Sequence, residues 1–130
     1  LPSARLFSKS GEDKLYGDRG NDNLRGDSTA DYLYGSIANS KLDGGDREDD
    51  LYGGIGNDVF NLTTESGYDR IRNFTKGEDR VDIAEFGINQ LGFFESGKNL
   101  KVNLDKENSD LLAQISNQNL NEGSISDFIF

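Results

Sequence analysis

Neither cysteine nor histidine occurs in this chain of 130 residues, and the two absences remove most side-chain chemistry at once. Without cysteine there is no disulfide frame and no thiolate nucleophile; without histidine there is no imidazole base and no His-Glu-x-x-His zinc helix. Acidic residues always permit a paired-carboxylate enzyme, but here a repeat accounts for them, so the chain is not expected to be an enzyme and no catalytic residue is assigned. Methionine is absent too, from which a boundary inside a longer parent chain is expected at Leu1-Pro2. No apolar run approaches the roughly 18 residues of a membrane-spanning helix, and no basic-then-apolar leader opens the chain. Basic residues are scarce, 14 Lys and Arg against 24 Asp and Glu, which leaves a net charge of −10. Nucleic acid and anionic membrane surfaces both demand clustered positive charge, so neither is an expected partner. Cations are.

Glycine is plentiful, with 16 residues, and it recurs at a fixed interval. Gly53-Gly54-Ile55-Gly56-Asn57-Asp58-Val59-Phe60-Asn61 is one nonapeptide, and Gly17-Asp18-Arg19-Gly20-Asn21-Asp22-Asn23-Leu24-Arg25 is another in the same frame. Looser copies begin at Ser8, Gly26, Gly35 and Gly44, with no residue inserted between them. Position six then reads Asp13, Asp22, Asp31, Ser40, Asp49, Asp58, and position eight reads Leu15, Leu24, Leu33, Leu42, Leu51, Phe60. Glycine permits a left-handed turn and a close backbone approach. The three residues after position six form a short strand with only its middle side chain facing inward. With 33% hydrophobic residues, the core this builds is thin. Position nine of alternate copies is Tyr16, Tyr34 and Tyr52, which predicts a ladder of stacked rings on one outer face.

In these residues the segment resembles the calcium-binding repeat of RTX, or hemolysin-type, proteins, G-G-x-G-x-D-x-U-x with U a large apolar residue. The resemblance implies an all-β fold: a parallel β-roll of calcium-binding nonapeptide repeats followed by a small antiparallel β cap. Two nonapeptides would make one coil, so that residues eighteen apart stack at about 4.8 Å. The turns ending in Asp13, Asp31 and Asp49 would form a first edge, and those ending in Asp22, Ser40 and Asp58 a second. Unit charges that close repel by about 1 kcal/mol in water and about 3 to 4 kcal/mol at an effective dielectric of 20. A cation between them reverses the sign. Asp and turn-carbonyl oxygens in sets of six or more suit Ca²⁺, whereas Zn²⁺ would want His or Cys. No stretch fits an EF-hand loop.

The resemblance also implies which oxygens take part. One turn would give carbonyls at positions two and four and its Asp, and the turn eighteen residues on would give carbonyls at positions one and three and its Asp. On the first edge this places one ion among Lys9, Gly11, Asp13, Gly26, Ser28 and Asp31, and the next among Asp27, Thr29, Asp31, Gly44, Asp46 and Asp49. Thr29 and Arg47 occupy position four without glycine, where strain is expected. Turn by turn, the same scheme adds Gly45 and Arg47 before Asp49, Asp18 and Gly20 before Asp22, and Gly53, Gly54, Ile55 and Gly56 before Asp58. Ser40 is the one position-six residue that is not Asp, so the second edge is expected to bind more weakly or not at all.

Residues 1–7 read as a lead-in and residues 8–61 as the repeats. From Leu62 the nine-residue frame is lost. Residues 62–90 are similar to the segment that closes the β-roll in serralysin-type proteases, through Asp69-Arg70-Ile71-Arg72-Asn73-Phe74 and Gly77-Glu78-Asp79-Arg80-Val81-Asp82-Ile83. That resemblance implies a terminal Ca²⁺ with Asp69 and Asp79 among its ligands, although Asn73 stands where the first motif usually has Asp. A packing segment built on Phe74, Val81 and Ile83 is the alternative. Residues 91–130 read as two or three antiparallel strands, Leu91 to Glu95, Leu100 to Leu104 and Leu111 to Ile115. The ending Ser126-Asp127-Phe128-Ile129-Phe130 resembles the C-terminal signal read by type I secretion machinery.

Two functions follow. The first is a calcium-binding module that folds on Ca²⁺ outside a bacterial cell and carries the export signal of a secreted parent. The alternative is a Ca²⁺-dependent polysaccharide-binding or adhesive surface using the tyrosine ladder with Arg19, Arg25, Lys41 and Arg47.

Overall fold

The computed structural model describes residues 3–63, 67–75, 77–83, 91–103 and 111–116. Every strand of the repeat region is three residues long, because turn residues close in on both sides of positions seven to nine. One sheet runs β1 (Arg5–Phe7), β3 (Asn23–Arg25), β5 (Lys41–Asp43), β7 (Val59–Asn61) and β9 (Arg80–Asp82), in that spatial order. The other contains β2 (Lys14–Tyr16), β4 (Tyr32–Tyr34), β6 (Asp50–Tyr52) and β8 (Asp69–Arg72). Neighbours among β1–β7 are parallel, and their register is the expected eighteen: Leu15 pairs with Leu33 and Leu33 with Leu51, while Leu24 pairs with Leu42 on the opposite sheet. Successive strands therefore alternate between sheets, as a flattened coil of two nonapeptides requires.

The middle residue of each strand is buried while its flanks face outward. Leu33, Leu42, Leu51 and Phe60 are 0% exposed, so the core is a single file from each sheet. Phe60 also meets Phe74 at 6.0 Å between ring centroids, and Phe74, Val81 and Ile83 are all buried. That segment does pack. On the outer face of the second sheet the tyrosines stack as predicted, with centroid separations of 4.8 Å for Tyr16–Tyr34 and again for Tyr34–Tyr52. In the next register place stands Arg72, paired with Tyr52, and its Nε donates to Asp50 Oδ1 at 3.1 Å.

Two features extend the sequence reading. The strand pattern does not stop at Leu62: β8 pairs with β6 through Asp50↔Arg70, and β9 with β7 through Val59↔Arg80. Both sheets gain a further strand, and only the spacing changes, from 18 to 20 (70 − 50) and then 21 (80 − 59). Extra residues went into turns, which hid a periodicity that the strands keep. The expected antiparallel cap, in turn, is continuous with the roll. The strands β10 (Gly92–Ser96), β11 (Asn99–Asn103) and β12 (Leu111–Ile115) are antiparallel to one another, but β12 lies parallel beside β8. The order β10-β11-β12-β8-β6-β4-β2 is one continuous seven-stranded sheet. The lead-in supplies β1, paired with β3. Leu104 and the ending Ser126–Phe130 lie outside the described residues.

Candidate metal centres

The turns show why position matters more than glycine content. Positions two and four are left-handed in four of the six turns: Asp18 and Gly20, Ser36 and Ala38, Gly45 and Arg47, Gly54 and Gly56. Four of these places hold a side chain rather than glycine, with φ of +65° at Asp18, +76° at Ser36, +82° at Ala38 and +80° at Arg47. Such residues cost on the order of 1 kcal/mol each and persist only where the surroundings impose them. Arg47 is strained as expected; Thr29 is not left-handed.

Position one needs glycine for a different reason. A methyl group on Gly17 would stand 2.6 Å from Asp22 Oδ2 and 2.9 Å from the carbonyl oxygen of Gly35. On Gly53 it would stand 2.5 Å from Asp58 Oδ2. The space that a side chain would fill is thus bordered by a carboxylate oxygen and, at Gly17, by the position-one carbonyl of the coil above.

Stacked carboxylates do not simply face one another. From Asp31 on, each position-six side chain of the repeats accepts the backbone N–H of the position-six residue eighteen earlier: Asp13 N donates to Asp31 Oδ1 at 2.9 Å, Asp31 N to Asp49 Oδ1 at 2.8 Å, and Ser40 N to Asp58 Oδ1 at 2.8 Å. Ser40 keeps its place in this series, but its Oγ accepts from Asp22 N at a stretched 3.4 Å. Asp79 continues the second edge, accepting from Asp58 N at 2.9 Å through Oδ1 and from Thr75 N at 2.8 Å through Oδ2. Asp69 continues the first edge, since Arg70 N donates to Asp49 O where Asp50 N donates to Asp31 O one coil earlier. Asp69 and Asp79 therefore stand on opposite edges, and the single terminal site expected to use both is not assembled by the fold.

The second oxygens test whether a cation fits. Asp22 and Asp58 are 2% and 1% exposed, and the Oδ2 of each is buried without a hydrogen-bond partner. A bare carboxylate oxygen in that setting is costly unless a cation or donor meets it. Burial, with the negative charge of Asp79 adding to it, pushes the Asp58 carboxyl up to about 6 despite the hydrogen bond from the Ser40 amide. Asp79 is also raised, by burial first and then by Glu78, against the amides of Asp58 and Thr75. Among the described residues no three carboxylates converge, so any ion here takes most of its ligands from turn carbonyls. That donor set, all oxygen and mostly neutral, fits Ca²⁺. The carbonyls of Asp18, Asp27 and Ser36 each accept one amide from the coil above, which leaves a second lone pair on each.

Gly35, Ser36, Ile37 and Ala38 were not among the expected ligands because their turn lacks glycine at positions two and four and Asp at position six. The register alone would have found them: the turn keeps its left-handed places, and Ile37 pairs with both Arg19 and Ile55. The expected polysaccharide residues are dispersed. Arg25 and Lys41 lie on the first sheet, the tyrosines on the second, and Arg19 and Arg47 in turns of opposite edges.

A family model of the RTX calcium-binding nonapeptide repeat, four copies long, matches residues 7–42, 25–60 and 34–71. Merged, these span residues 7–71, or 65 of 130. No curated protein matches the chain. Among solved structures, the chain is similar to a subunit of the mannuronan C5-epimerase from Azotobacter vinelandii, determined in solution. The TM-score is 0.64 at 24% identity, over 92% of this chain and 77% of the other. At that identity the likeness speaks for the fold.

Two outcomes are expected. Because the Asp58 carboxyl titrates near 6 in the ion-free fold, the protonated form stabilises that fold at low pH, fully below about 3.8, and the contribution is lost as pH rises through about 6. Calcium takes the deprotonated form, so binding at pH 6 should release protons and weaken as pH falls from 7 to 5. Calorimetry in two buffers of different ionisation enthalpy reads this directly; identical heats would remove Asp58 from the ligand set. Ser40→Asp should shorten the contact with Asp22 N and supply a second oxygen beside Gly35. Calorimetric titration should then give an added ion or about tenfold tighter binding, and an unchanged isotherm would displace Ser40 from position six.

Proposed function

Because the chain belongs to the RTX calcium-binding nonapeptide repeat family, we propose that its ions act as a folding switch for a protein exported from a bacterial cell. The chain is a calcium-binding module built as a β-roll. What supports the switch is the pair of buried, partnerless oxygens at Asp22 and Asp58. Closing the coils removes these oxygens from water and gives them nothing in return. Leaving such a group unsatisfied costs about 1–3 kcal/mol, and more when it is charged. The thin core has little with which to offset that.

Bound Ca²⁺ supplies positive charge between the coils. The residues of the chain do the rest: Gly17 and Gly53 keep the notch open, the position-six amides hold the Oδ1 atoms in line, and the left-handed turns aim the carbonyls. Extracellular-type sites have dissociation constants of about 10⁻⁴–10⁻³ M, and an ion at ten times that value adds about 1.4 kcal/mol. About four such sites would add roughly 6 kcal/mol, on the order of the whole stability of a small domain. Where calcium is scarce the chain stays loose enough for a type I exporter reading the residues near Phe130; outside, it closes.

The exposed tyrosine ladder supports a second reading, a calcium-dependent polysaccharide surface. Tyr16 is 51% exposed, and Lys14 stands beside the ladder with Nζ 5.8 Å from the Tyr32 ring. The structural neighbour comes from an enzyme named for the polysaccharide mannuronan.

Circular dichroism in chelator and then in millimolar Ca²⁺ should show a largely disordered chain becoming β-rich. A spectrum that is β-rich in both would end the switch. The calcium-loaded protein on a glycan array separates the two readings, since a module that only folds and exports should retain no glycan.

A further inference from the structure

Turns 8–13 and 26–31 differ from the rest in a manner the nine-residue frame does not announce. In both, position two lies outside the left-handed region, and its amide folds inward to donate to the carboxylate of its own turn. Lys9 N reaches Asp13 Oδ2 at 3.3 Å, and Asp27 N reaches Asp31 Oδ2 at 3.1 Å. Ser8 Oγ gives Asp31 Oδ2 a further donor at 3.2 Å, while Asp31 Oδ1 holds the Asp13 amide at 2.9 Å. One residue pair completes the closure: Thr29 Oγ1 donates to the carbonyl oxygen of Gly11 at 2.6 Å.

Turns 17–22 and 53–58 are in the opposite state. Asp18 and Gly54 are left-handed at position two, with φ of +65° and +92°. Neither amide bonds the carboxylate of its turn, since Asp22 Oδ2 and Asp58 Oδ2 are left bare and buried. The repeat thus has a closed turn, whose carboxylate is satisfied by the chain, and an open turn, whose carboxylate is not. A donor hydrogen and a cation compete for the same lone pairs, so a closed turn is a poor ligand and an open turn a good one.

We propose that the rung between turns 8–13 and 26–31 is an ion-free clasp, held by the hydroxyls of Ser8 and Thr29 and the amides of Lys9 and Asp27, and that calcium enters the second edge at the rungs Asp22–Ser40 and Ser40–Asp58. This rests on the calcium-binding reading above, and it reverses the ranking that the missing Asp at position 40 suggests. A clasp that does not wait for an ion gives the roll a formed first coil on which later, calcium-dependent coils stack. The choice of Thr29 over glycine at position four is then functional: a hydroxyl replaces the metal that a glycine turn would admit.

Titration of the parent and four variants with Ca²⁺, monitored by calorimetry, tests this. Asp13→Asn should leave the number of ions and the affinity within twofold of the parent, whereas Asp58→Asn should lose one ion or weaken binding at least tenfold. Ser8→Ala/Thr29→Gly should gain an ion, and adding Asp13→Asn to that pair should remove it again. An ion lost in Asp13→Asn alone overturns the clasp. A parent that binds no calcium overturns the calcium reading instead, so the two failures are separable. Should a variant not fold, crystals of the parent grown in calcium decide the matter: density on the second edge and none between Asp13 and Asp31 is expected, and an ion between those two carboxylates overturns the proposal.

Discussion

One interaction is repeated up both edges of this molecule, and the remainder of the structure is arranged around it. A position-six side chain accepts the amide of the position-six residue one coil below, as in Asp13 N to Asp31 Oδ1 and Ser40 N to Asp58 Oδ1. The bond fixes the coil-to-coil register at the edges, as the parallel ladders do in the sheets. It also divides the labour of the carboxylate. One oxygen is committed to the chain and the other is left over, buried at Asp22 and Asp58 without a partner. A roll whose core is one residue wide on each face cannot absorb many such oxygens. The edges are therefore built so that carboxylate oxygens are left for a cation to meet.

Glycine serves these edges in two unlike ways, and the substitutions tell them apart. At positions two and four the backbone is left-handed, a conformation that Ser36, Ala38 and Arg47 adopt at a cost. At position one the need is for room, because an oxygen of the same turn, and at Gly17 the carbonyl of the coil above, would meet any side chain. The first demand can be overridden by neighbours that impose the turn; the second cannot, since no rotamer removes a Cβ. This accounts for five of the six copies having glycine at position one while positions two and four drift. The exception is Ser8, in the first coil, where the side chain is turned to use as a donor to Asp31.

The all-β roll, the eighteen-residue register, the tyrosine ladder and the file of Leu15, Leu33 and Leu51 were legible because an unbroken nine-residue period resembles the RTX repeat, and that resemblance implies two copies to a coil. Three things were not. The strands at Asp69–Arg72 and Arg80–Asp82 continue the sheets, but longer turns shift them out of frame. The parallel pairing of Leu111–Ile115 with Asp69–Arg72 joins segments far apart in the chain, and alternation of apolar residues says only that a strand exists. The donors Ser8 and Thr29 occupy ligand positions, and nothing in the residue types distinguishes an oxygen offered to an ion from a hydroxyl that occupies one.

The two ends of the roll are treated differently, and the difference bears on folding order. At the C-terminal side the seven-stranded sheet continues past Asp69–Arg72 into an antiparallel meander, so the last coil of that sheet does not present a bare edge. Arg72 ends the tyrosine stack there with a charge-assisted hydrogen bond to Asp50. At the opposite end, among the described residues, Arg5–Phe7 and Lys14–Tyr16 each have a partner on one side, and Phe7 and Tyr16 are 65% and 51% exposed. An edge strand of this kind is a template for pairing, and a parallel coil gains its hydrogen bonds only once its neighbour is in place. A coil with a neighbour on one side must hold its turns by donors of its own, and turns 8–13 and 26–31 do so through Lys9 N, Asp27 N and Ser8 Oγ.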